Sequence, residues 1–522
     1  MIILAIVLYL GYMIYLGVKM AKKNKSSDDF YLGGRKLGPF VTAMSAEASD
    51  MSSWLLMGLP GVALLNGLAG NTTGFAEAFW TAVGLAIGTY INWLLVARRI
   101  RVYSEKTGST TIPSFLSDRF GDKKGLLTAI AAVVIIVFFI PYTASGFAAI
   151  GKLASNLFGV DYHIAMIVGA IILVAYTVLG GFLAASTTDL IQSIIMTAAL
   201  FIVICFGIEN AGGVENVKSA ILGIEGIDNF GQYFNVFGTN GTSYGFLPIV
   251  STLAWGLGYF GMPHILLRFM AIEDEKKLPL SRRVASIWVT ISMGIAIFIG
   301  VLGFAFASNN GYLVDGFDSE SIIIVMADAI ASLDTFAALL AGFIIAGILA
   351  SIMSTADSQL LAASSSVSEN IVKRFVWKDM SGKAQMWFAR GTMLVIALIA
   401  VFLAWDSDSS VFRIVSFAWA GFGAAFGPII ICALFWKRTN KWGAFAGIFA
   451  GGAVVFIWKY LIRPIGGAFD IYELLPAFIV SFVAIIVTSL LTAAPDKEVT
   501  DTFDAVNAYC KAKASNVDAV ED

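Results

Sequence analysis

The segment from Ser45 to Trp54 combines residue types that are rare inside a membrane-spanning stretch. It reads Ser-Ala-Glu-Ala-Ser-Asp-Met-Ser-Ser-Trp and lies within an apolar run from about 37 to 68. A run of this length spans a bilayer as a helix. Carboxylates at bilayer depth are costly and usually mark an ion or substrate path. Small polar residues there allow the helix to break, so that freed backbone carbonyls can hold a cation.

A second weakened helix lies between Leu253 and His264. Three glycines and one proline, at positions 256, 258, 261 and 263, fall within eight residues, and both residue types destabilise a helix. Interrupted helices at matching positions of two halves point to the binding site of a transporter. Glycine and proline are also frequent in membrane helices for packing alone, and that alternative stays open.

A polar stripe marks a third apolar segment. Ser351, Ser354, Thr355 and Ser358 are spaced i, i+3, i+4 and i+7, which places them on one helical face, and Asp357 lies beside them. Hydroxyl oxygens next to carbonyl oxygens suit a small hard cation. Serine and threonine also join helices to each other, which is the alternative for any single hydroxyl.

The elements that carry these residues are those of an all-α polytopic membrane protein. Of the 522 residues, 58% are hydrophobic and 13% are charged, and the mean hydropathy is +0.82. The apolar runs predict about thirteen spans. They lie near 1–20, 38–66, 77–98, 124–155, 162–182, 187–208, 246–268, 284–307, 321–372, 385–405, 412–436, 442–461 and 473–493.

Basic residues predict the orientation, because cytoplasmic loops carry an excess of Lys and Arg. With the N-terminus outside and the C-terminus inside, only five of the 34 Lys and Arg residues fall outside. Those five are Lys152, Lys218, Arg413, Lys459 and Arg463. From the apolar composition and the broken helices, we expect the lipid bilayer and a small solute as partners, and no nucleic acid.

The two weakened helices are five spans apart and enter the membrane from opposite sides. This arrangement predicts a 5+5 inverted repeat, helices 2–6 and 7–11, at about 38–208 and 246–436. The transmembrane domain would cover 1–493, and 494–522 would be a solvated cytoplasmic tail. The long ninth segment should bend near Asp334, and the outer loop 209–245 should form a short helix and a lid.

Three motifs carry a resemblance to the sodium/solute symporter family, and most of all to its proline-transporting branch. They are Ala48-Ser49-Asp50-Met51-Ser52, Trp255 to Arg268, and Met353-Ser354-Thr355 followed by Gln359. Tyr31-Leu32-Gly33-Gly34-Arg35 resembles the first inside loop of that family. The resemblance covers about 1–490. It implies thirteen helices, a leucine-transporter type of core and alternating access.

The resemblance also implies an ion site and a coupling path. Sodium would be the coupling ion, bound by backbone carbonyls of Ala48, Met51 and Ser351 and by the hydroxyls of Ser354 and Thr355. Asp50 would be required for sodium-dependent transport. Asp189 would lie on the inner exit route of the ion, unless it only stabilises a helix N-terminus, and Asp357 would be a further residue of the ion path. Arg35 would be a functional loop residue or an ordinary positive-inside arginine.

The implied solute is L-proline, and the implied site consists of Ser52, Trp54, Tyr142, Trp255, Tyr259 and Pro263. Amide groups at a half-helix N-terminus would take the carboxylate, and aromatic rings would cover the pyrrolidine. In an intact α-helix Trp255 and Tyr259 would share one face, with Tyr142 opposite. Ser53 and Met262 replace the glycine and glutamine of the proline branch, which leaves another small solute open.

Two other classes of protein compete with this hypothesis. A membrane-embedded enzyme needs a nucleophile–base pair or a metal constellation. The chain has only His163 and His264, and neither has the spacing of a metal ligand. A transport-like sensor is the other class. Within the symporter family, other amino acids, monocarboxylates, vitamin acids and sugars are alternative solutes. We expect a multi-pass protein of a bacterial plasma membrane.

Overall fold

The structure is a computed structural model that describes residues 1–21, 27–66, 73–224, 227–238, 243–314 and 317–518. Within these residues every regular element is helical, apart from one isolated bridge between Leu37 and Ile272. The all-α class expected from the apolar runs is confirmed.

The helices follow one another along the whole chain. The first half contains α1 (Ile2–Ala21), α2 (Ser27–Leu32), α3 (Pro39–Ala48), α4 (Leu59–Leu64), α5 (Gly74–Leu95), α6 (Ala97–Thr107), α7 (Ile112–Arg119), α8 (Leu126–Phe158), α9 (Tyr162–Asn210), α10 (Gly213–Leu222) and α11 (Phe230–Tyr233). The second half contains α12 (Phe246–Leu253), α13 (Pro263–Ala271), α14 (Leu278–Asn309), α15 (Ile322–Ala331), α16 (Thr335–Ser365), α17 (Gly382–Leu403), α18 (Val411–Phe435), α19 (Lys441–Ile457), α20 (Leu474–Leu491) and α21 (Lys497–Asp518).

Ten helices of the described chain are long and apolar enough to cross a membrane. Three further apolar helical segments are shorter, Trp54–Leu64, Tyr162–Val178 and Phe246–Phe260. Each of the three adjoins a break in the helix. The break divides an apolar run that would be long enough to cross a membrane if it were continuous. The multi-pass architecture is therefore clear, while the number of thirteen spans stays a prediction.

The first interruption separates α3 from α4. The helix α3 ends at Ala48, a turn follows through Asp50, and the chain resumes as a π-helical stretch, Trp54–Gly58. The Met51 amide donates to the Glu47 carbonyl (2.7 Å) and the Ser52 amide to the Asp50 carbonyl (2.8 Å). The small residues predicted to break this helix therefore do so.

The second interruption lies between α12 and α13. The chain tightens into a 3₁₀ stretch, Ala254–Phe260, and turns extended at Met262 before Pro263 begins α13. Proline suits the first position of a helix because its missing N–H has no helical partner there. The glycines allow close packing: a Cβ added to Gly84 of α5 would lie 2.6 Å from the Leu253 carbonyl oxygen.

Two other predicted breaks are present. The long helix α9 is kinked at Gly181, where φ is 68°, close to the predicted boundary between the fifth and sixth spans. The ninth predicted segment divides into α15 and α16, and the Asp334 carboxylate caps α16 by accepting from the Ala337 amide (2.8 Å). The helix α16 then packs against α1, α8 and α9 in the interior.

The outer loop 209–245 contains two short helices, α10 and α11, rather than one. It packs on α5, where Trp80 Nε1 donates to the Val236 carbonyl (2.8 Å). None of its described residues lines the outer cavity presented below. The predicted lid is therefore not found among these residues, and 225–226 and 239–242 lie outside the described chain.

The expectation of a solvated tail is wrong for α21. Val499, Phe503, Val506 and Cys510 recur on one face of this helix and are buried. The Phe503 ring lies 4.8 Å from the Arg119 guanidinium, and Tyr509 donates to Glu275 Oε1 (2.8 Å). The helix docks because its apolar stripe covers α6 and α7, which the acidic overall composition of the tail did not reveal.

Candidate functional site

Four of the five predicted cation ligands lie together at the end of α3. The Ala48 carbonyl accepts from Ser354 Oγ (2.8 Å) and from Thr355 Oγ1 (3.4 Å). Ser354 Oγ is also 3.2 Å from the Ser351 carbonyl oxygen. Two carbonyl oxygens and two hydroxyl oxygens thus converge where α16 meets the first break. All four residues are buried.

The fifth predicted ligand, Met51, lies in the same break and is fully buried. Its amide donates to the Glu47 carbonyl, and this hydrogen bond forms a turn after α3. No hydrogen bond of the described chain engages its carbonyl. The break therefore leaves a carbonyl oxygen beyond the end of α3, which is what a cation needs from an unwound helix.

Asp50 connects the two interrupted helices. Its carboxylate accepts from the Tyr259 hydroxyl (2.7 Å), which belongs to the 3₁₀ stretch of the second break. Its backbone carbonyl accepts from Trp54 Nε1 (3.0 Å) and from the Tyr142 hydroxyl of α8 (3.3 Å). Oδ1 has no hydrogen-bond partner among the described residues. Asp50 is therefore a junction of three elements.

The predicted aromatic wall is only partly as expected. Trp255 and Tyr259 belong to a 3₁₀ stretch, not an α-helix, so the shared face inferred from i,i+4 spacing is wrong. With three residues per turn, positions four apart diverge by about 120°. Tyr259 accordingly turns to Asp50, whereas the Trp255 ring stacks on Tyr472 (5.2 Å between centroids, 22° between planes) and lies 5.1 Å from Phe412.

Trp255 forms the floor of a cavity of about 1120 Å³. The cavity is lined by residues from α4, α5, α12, α18 and the segment before α20, among them Gly58, Phe412 and Tyr472. Four of the five basic residues assigned outside also line it: Lys152, Arg413, Lys459 and Arg463. The cavity is therefore the outer vestibule in the orientation predicted from the sequence.

The other predicted solute residues lie below this floor. Trp54 is buried, and its ring centroid lies 6.3 Å from that of Trp255. The backbone amide of Trp54 lies 3.4 Å from Ser52 Oγ. Tyr142, Tyr259 and Pro263 are buried as well, and none of them lines the cavity. The ring stack of Trp255, Tyr472 and Phe412 thus separates the vestibule from the predicted site.

The two residues that differ from the proline branch are both buried at the breaks. Ser53 is fully buried next to Trp54, and its hydroxyl has no partner among the described residues. Met262 is fully buried just before α13. Both side chains therefore face protein interior, where they alter the size and polarity of the region around the breaks.

Asp189 belongs to a buried charged cluster on the other side of the cation ligands. Its Oδ2 accepts from Ser45 Oγ (2.6 Å) and from Arg268 Nη2 (3.2 Å). Arg268 also donates to Ser45 Oγ (3.0 Å) and to Ser358 Oγ (2.5 Å). Asp357 Oδ1 accepts from Ser358 Oγ (3.1 Å). Asp189 lies eight residues beyond the kink of α9 at Gly181, past the first turn of the helix that follows, so the alternative of a helix N-terminal acid is wrong.

Arg35 lies apart from the cation ligands. Its guanidinium donates to the Met270 carbonyl (2.6 Å), the Ser104 carbonyl (3.1 Å) and the Ser109 carbonyl (2.7 Å). These contacts join the inner end of α13 to α6 and the loop after it. Arg35 therefore links the end of α13 to α6, and its role in function stays a prediction.

Sequence reasoning assigned no role to Glu47 or Arg268, although both are in the quoted motifs. Glu47 is fully buried and accepts from Trp93 Nε1 (2.8 Å) and Thr89 Oγ1 (3.0 Å) of α5. Asn92 of α5 donates to the Tyr259 carbonyl (3.0 Å). The helix α5 thus braces both breaks. A charged residue inside a span was the available signal.

The family model described as "Sodium:solute symporter family" matches residues 30–451. The "High-affinity proline transporter PutP" of Bacillus subtilis (strain 168) is 42% identical over 494 residues, covering 94% of this chain and 98% of the relative. The "Sodium/proline symporter" of Haemophilus influenzae is 41% identical over 510 residues, covering 97% and 98%.

Solved structures agree with the fold. A structure titled "Substrate-bound outward-open state of a Na+-coupled sialic acid symporter reveals a novel Na+-site" has a TM-score of 0.71 at 19% identity, covering 95% of this chain and 99% of that one. The core is of the leucine-transporter type, as the resemblance implied. The family match and the full-length relatives lead to one conclusion: this chain belongs to the sodium:solute symporter family.

Proposed function

We propose that this chain imports L-proline together with sodium, by alternating access across a bacterial plasma membrane. Family membership supports sodium as the coupling ion, and the two relatives described above are both named for proline. The structural observation that carries the proposal is the convergence of the Ala48 and Ser351 carbonyls with the Ser354 and Thr355 hydroxyls.

The sodium site consists of Ala48, Met51, Ser351, Ser354 and Thr355. Neutral carbonyl and hydroxyl oxygens suit a hard monovalent cation, because they replace its hydration shell without trapping it. Ser354 Oγ already contacts the Ala48 carbonyl. On ion binding its hydrogen turns away, so that both oxygens face the cation. The ion then joins α3 to α16 and favours the arrangement in which they are close.

The coupling residues are Asp50, Asp189, Asp357 and Arg35. Asp50 transmits the state of the first break to the second through Tyr259. Asp189 and Asp357 lie on the inward route of the ion, and Arg35 anchors the inner end of α13. Each assignment combines the family pattern with a contact between two elements that must move relative to each other.

The solute site consists of Ser52, Trp54, Tyr142, Trp255, Tyr259 and Pro263. An imino acid presents a carboxylate, a cationic ring nitrogen and three apolar methylenes. The backbone amides at the start of α13 have no helical partners and take the carboxylate. The indole and phenol faces of Trp255 and Tyr142 cover the ring and its cationic nitrogen. Trp255 at the vestibule floor opens to admit the solute.

The topology is part of the proposal. The N-terminus lies outside and the C-terminus in the cytoplasm, as the basic residues predict. The transport domain covers 1–493, with inverted repeats at about 38–208 and 246–436, and 494–522 forms the cytoplasmic end. Four of the five basic residues assigned outside line one cavity, as expected if they lie on the same side of the membrane.

Reconstitution tests the function. Purified protein in liposomes should accumulate labelled proline when an inward sodium gradient is imposed at fixed pH, and an equal gradient of choline should give none. A competition panel of alanine, glycine betaine, pantothenate, galactose and short monocarboxylates identifies the solute. Sodium-driven uptake of one of these, without proline uptake, would replace the solute and leave the sodium site standing.

The alternatives from other classes have less support. The family model and the relatives are transporters, so an enzyme is excluded as the function. A transport-like sensor would bind solute without moving it, and the accumulation assay separates it from a transporter. Within the family, the buried Ser53 and Met262 favour testing other small amino acids first, because both residues change the surroundings of the breaks.

A further inference from the structure

Arg268 is a fully buried cation that links four transmembrane elements. Its guanidinium contacts Asp189 of α9, Ser45 of α3 and Ser358 of α16, and its own helix α13 follows the second break. The Phe182 ring covers the guanidinium at 5.0 Å. Nothing in the function proposed above requires an arginine here, yet arginine is among the costliest residues to bury in a membrane.

The cluster around Arg268 contains two carboxyl groups and one guanidinium. Asp189 and Asp357 are both fully buried, and Arg268 is the one basic side chain that the described residues place against them. Asp189 Oδ1 and Asp357 Oδ2 have no hydrogen-bond partner within the described chain. Uncompensated carboxylate oxygens in a low dielectric attract any cation that reaches them.

A chain of hydrogen bonds joins this cluster to the proposed sodium ligands. Arg268 donates to Ser358 Oγ (2.5 Å), which shares its one hydrogen between Asp357 Oδ1 and the Ser354 carbonyl (3.1 Å each), and Ser354 Oγ donates to the Ala48 carbonyl (2.8 Å). Ser358 and Ser354 are one turn apart on α16. A sodium ion that leaves its ligands toward the inner side therefore meets Asp189 and Asp357 next.

We propose that Arg268 is a tethered cation that prevents these two carboxylates from trapping sodium on its way to the cytoplasm. This inference rests on the proposed function. With the guanidinium in place, it pairs with one carboxylate as the ion passes, and the other carboxylate alone guides the ion without holding it. Without it, two buried carboxylates face the ion together, and their affinity for sodium rises by about tenfold or more.

Arg268→Gln, Arg268→Lys and the double variant Arg268→Gln/Asp189→Asn test this role in proteoliposomes. The double variant restores the native net charge of the cluster. Arg119→Gln is the matched control, because Arg119 is an equally buried arginine that donates to the Ala433 carbonyl (2.7 Å) and has no carboxylate partner among the described residues. The readouts are equilibrium binding of radioactive sodium and the lumenal sodium concentration that half-inhibits net uptake.

We expect Arg268→Gln to bind sodium more tightly and to lower the half-inhibiting lumenal concentration by about tenfold. Arg268→Lys, the double variant and Arg119→Gln should stay within about threefold of the native value. Solute exchange at saturating sodium on both sides should survive in Arg268→Gln, because exchange does not require the ion to leave.

A purely structural brace predicts a different pattern. Exchange and net uptake would then fall together in Arg268→Gln, the half-inhibiting concentration would not move, and the double variant would be worse than either single change. That pattern overturns the inference. If Arg268→Gln does not insert, the double variant decides: a half-inhibiting concentration within about threefold of native supports the inference, and a loss of sodium binding and exchange together overturns it. Absence of sodium binding by the native protein would instead refute the proposed function.

Discussion

The two interrupted helices break in different ways and present different chemistry. The break after α3 is a turn followed by a π-helical stretch, and it presents backbone carbonyls, a carboxylate and hydroxyls. The break after α12 is a 3₁₀ stretch rich in glycine, and it presents the rings of Trp255 and Tyr259. Unwound backbone at one site and rings at the other imply a division of labour between ion and solute.

The two breaks are nevertheless coupled, because one hydrogen bond crosses between them. Tyr259 of the second break donates to Asp50 of the first at 2.7 Å. The helix α5 braces both, through Glu47 on one side and the Tyr259 carbonyl on the other. In the proposed function, the ion and the solute therefore act on the same pair of connected breaks. The following predictions test that division and that connection.

The largest expected effect is that of Asp50→Asn. The change removes the charge that Tyr259 contacts, and hydrogen bonds to charged groups contribute about 1.5–3 kcal/mol. We expect sodium-driven uptake to fall about 100-fold, with Asp50→Glu retaining part of it, as measured by initial rates in proteoliposomes. Asp334→Asn, at the N-cap of α16, controls for loss of a carboxylate. Near-native uptake by Asp50→Asn would show that the contact between Asp50 and Tyr259 is not required for coupling.

Trp255→Ala should weaken solute binding while sodium binding at saturating solute is retained. Loss of one aromatic wall costs roughly 1–3 kcal/mol, or about 5- to 150-fold in affinity. Equilibrium binding of labelled proline to purified protein measures this loss of affinity. The control is Trp387→Ala, since Trp387 is 69% exposed on the lipid-facing side of α17. An equal loss of sodium affinity in Trp255→Ala would contradict the division of labour.

Tyr259→Phe and Tyr142→Phe form a matched pair, because each removes one hydroxyl that donates to Asp50. Tyr259 donates to the carboxylate, whereas Tyr142 donates at 3.3 Å to a carbonyl that Trp54 Nε1 already engages. We expect coupled uptake to fall about tenfold or more in Tyr259→Phe and about threefold in Tyr142→Phe. Reversal of this order would place the coupling contact on α8 instead of the second break.

Ser354→Ala should raise the sodium concentration for half-maximal uptake by about fivefold, with solute affinity at saturating sodium close to native. The change removes one of the proposed ligands and its contact with the Ala48 carbonyl, a hydrogen bond worth about 1 kcal/mol. Ser365→Ala is the control, because Ser365 is buried on the same helix and donates to the Ala362 carbonyl. Equal behaviour of the two variants would contradict the ion assignment.

Much of the site was predictable because it depends on local patterns. Hydroxyls at i, i+3, i+4 and i+7 on α16 share a face of an α-helix, and a carboxylate such as Asp50 in an apolar run usually marks an ion or substrate path. The partners of these groups were not predictable. Arg268 and Asp189 are 79 residues apart and meet at 3.2 Å only because α9 and α13 pack together.

The prediction of a shared face for Trp255 and Tyr259 failed for a physical reason. Spacing translates into direction only when the helix type is known, and glycine at 256 and 258 lets the backbone tighten from α to 3₁₀ against α5. The prediction of a solvated tail failed for a related reason, since the apolar stripe of α21 does not reveal which surface it covers. Both outcomes depend on neighbours distant in sequence.

By itself, the sequence determined the class of protein, the positions of both helix breaks and the residues proposed to bind the ion. Hydropathy and residue spacing are local properties, and a bilayer allows few ways to satisfy them. Only the tertiary structure decided that Asp50 joins the two breaks, that Trp255 closes the vestibule and that Arg268 faces two carboxylates. Those contacts depend on how α5, α9 and α16 pack, and packing is settled by side chains that are far apart along the chain.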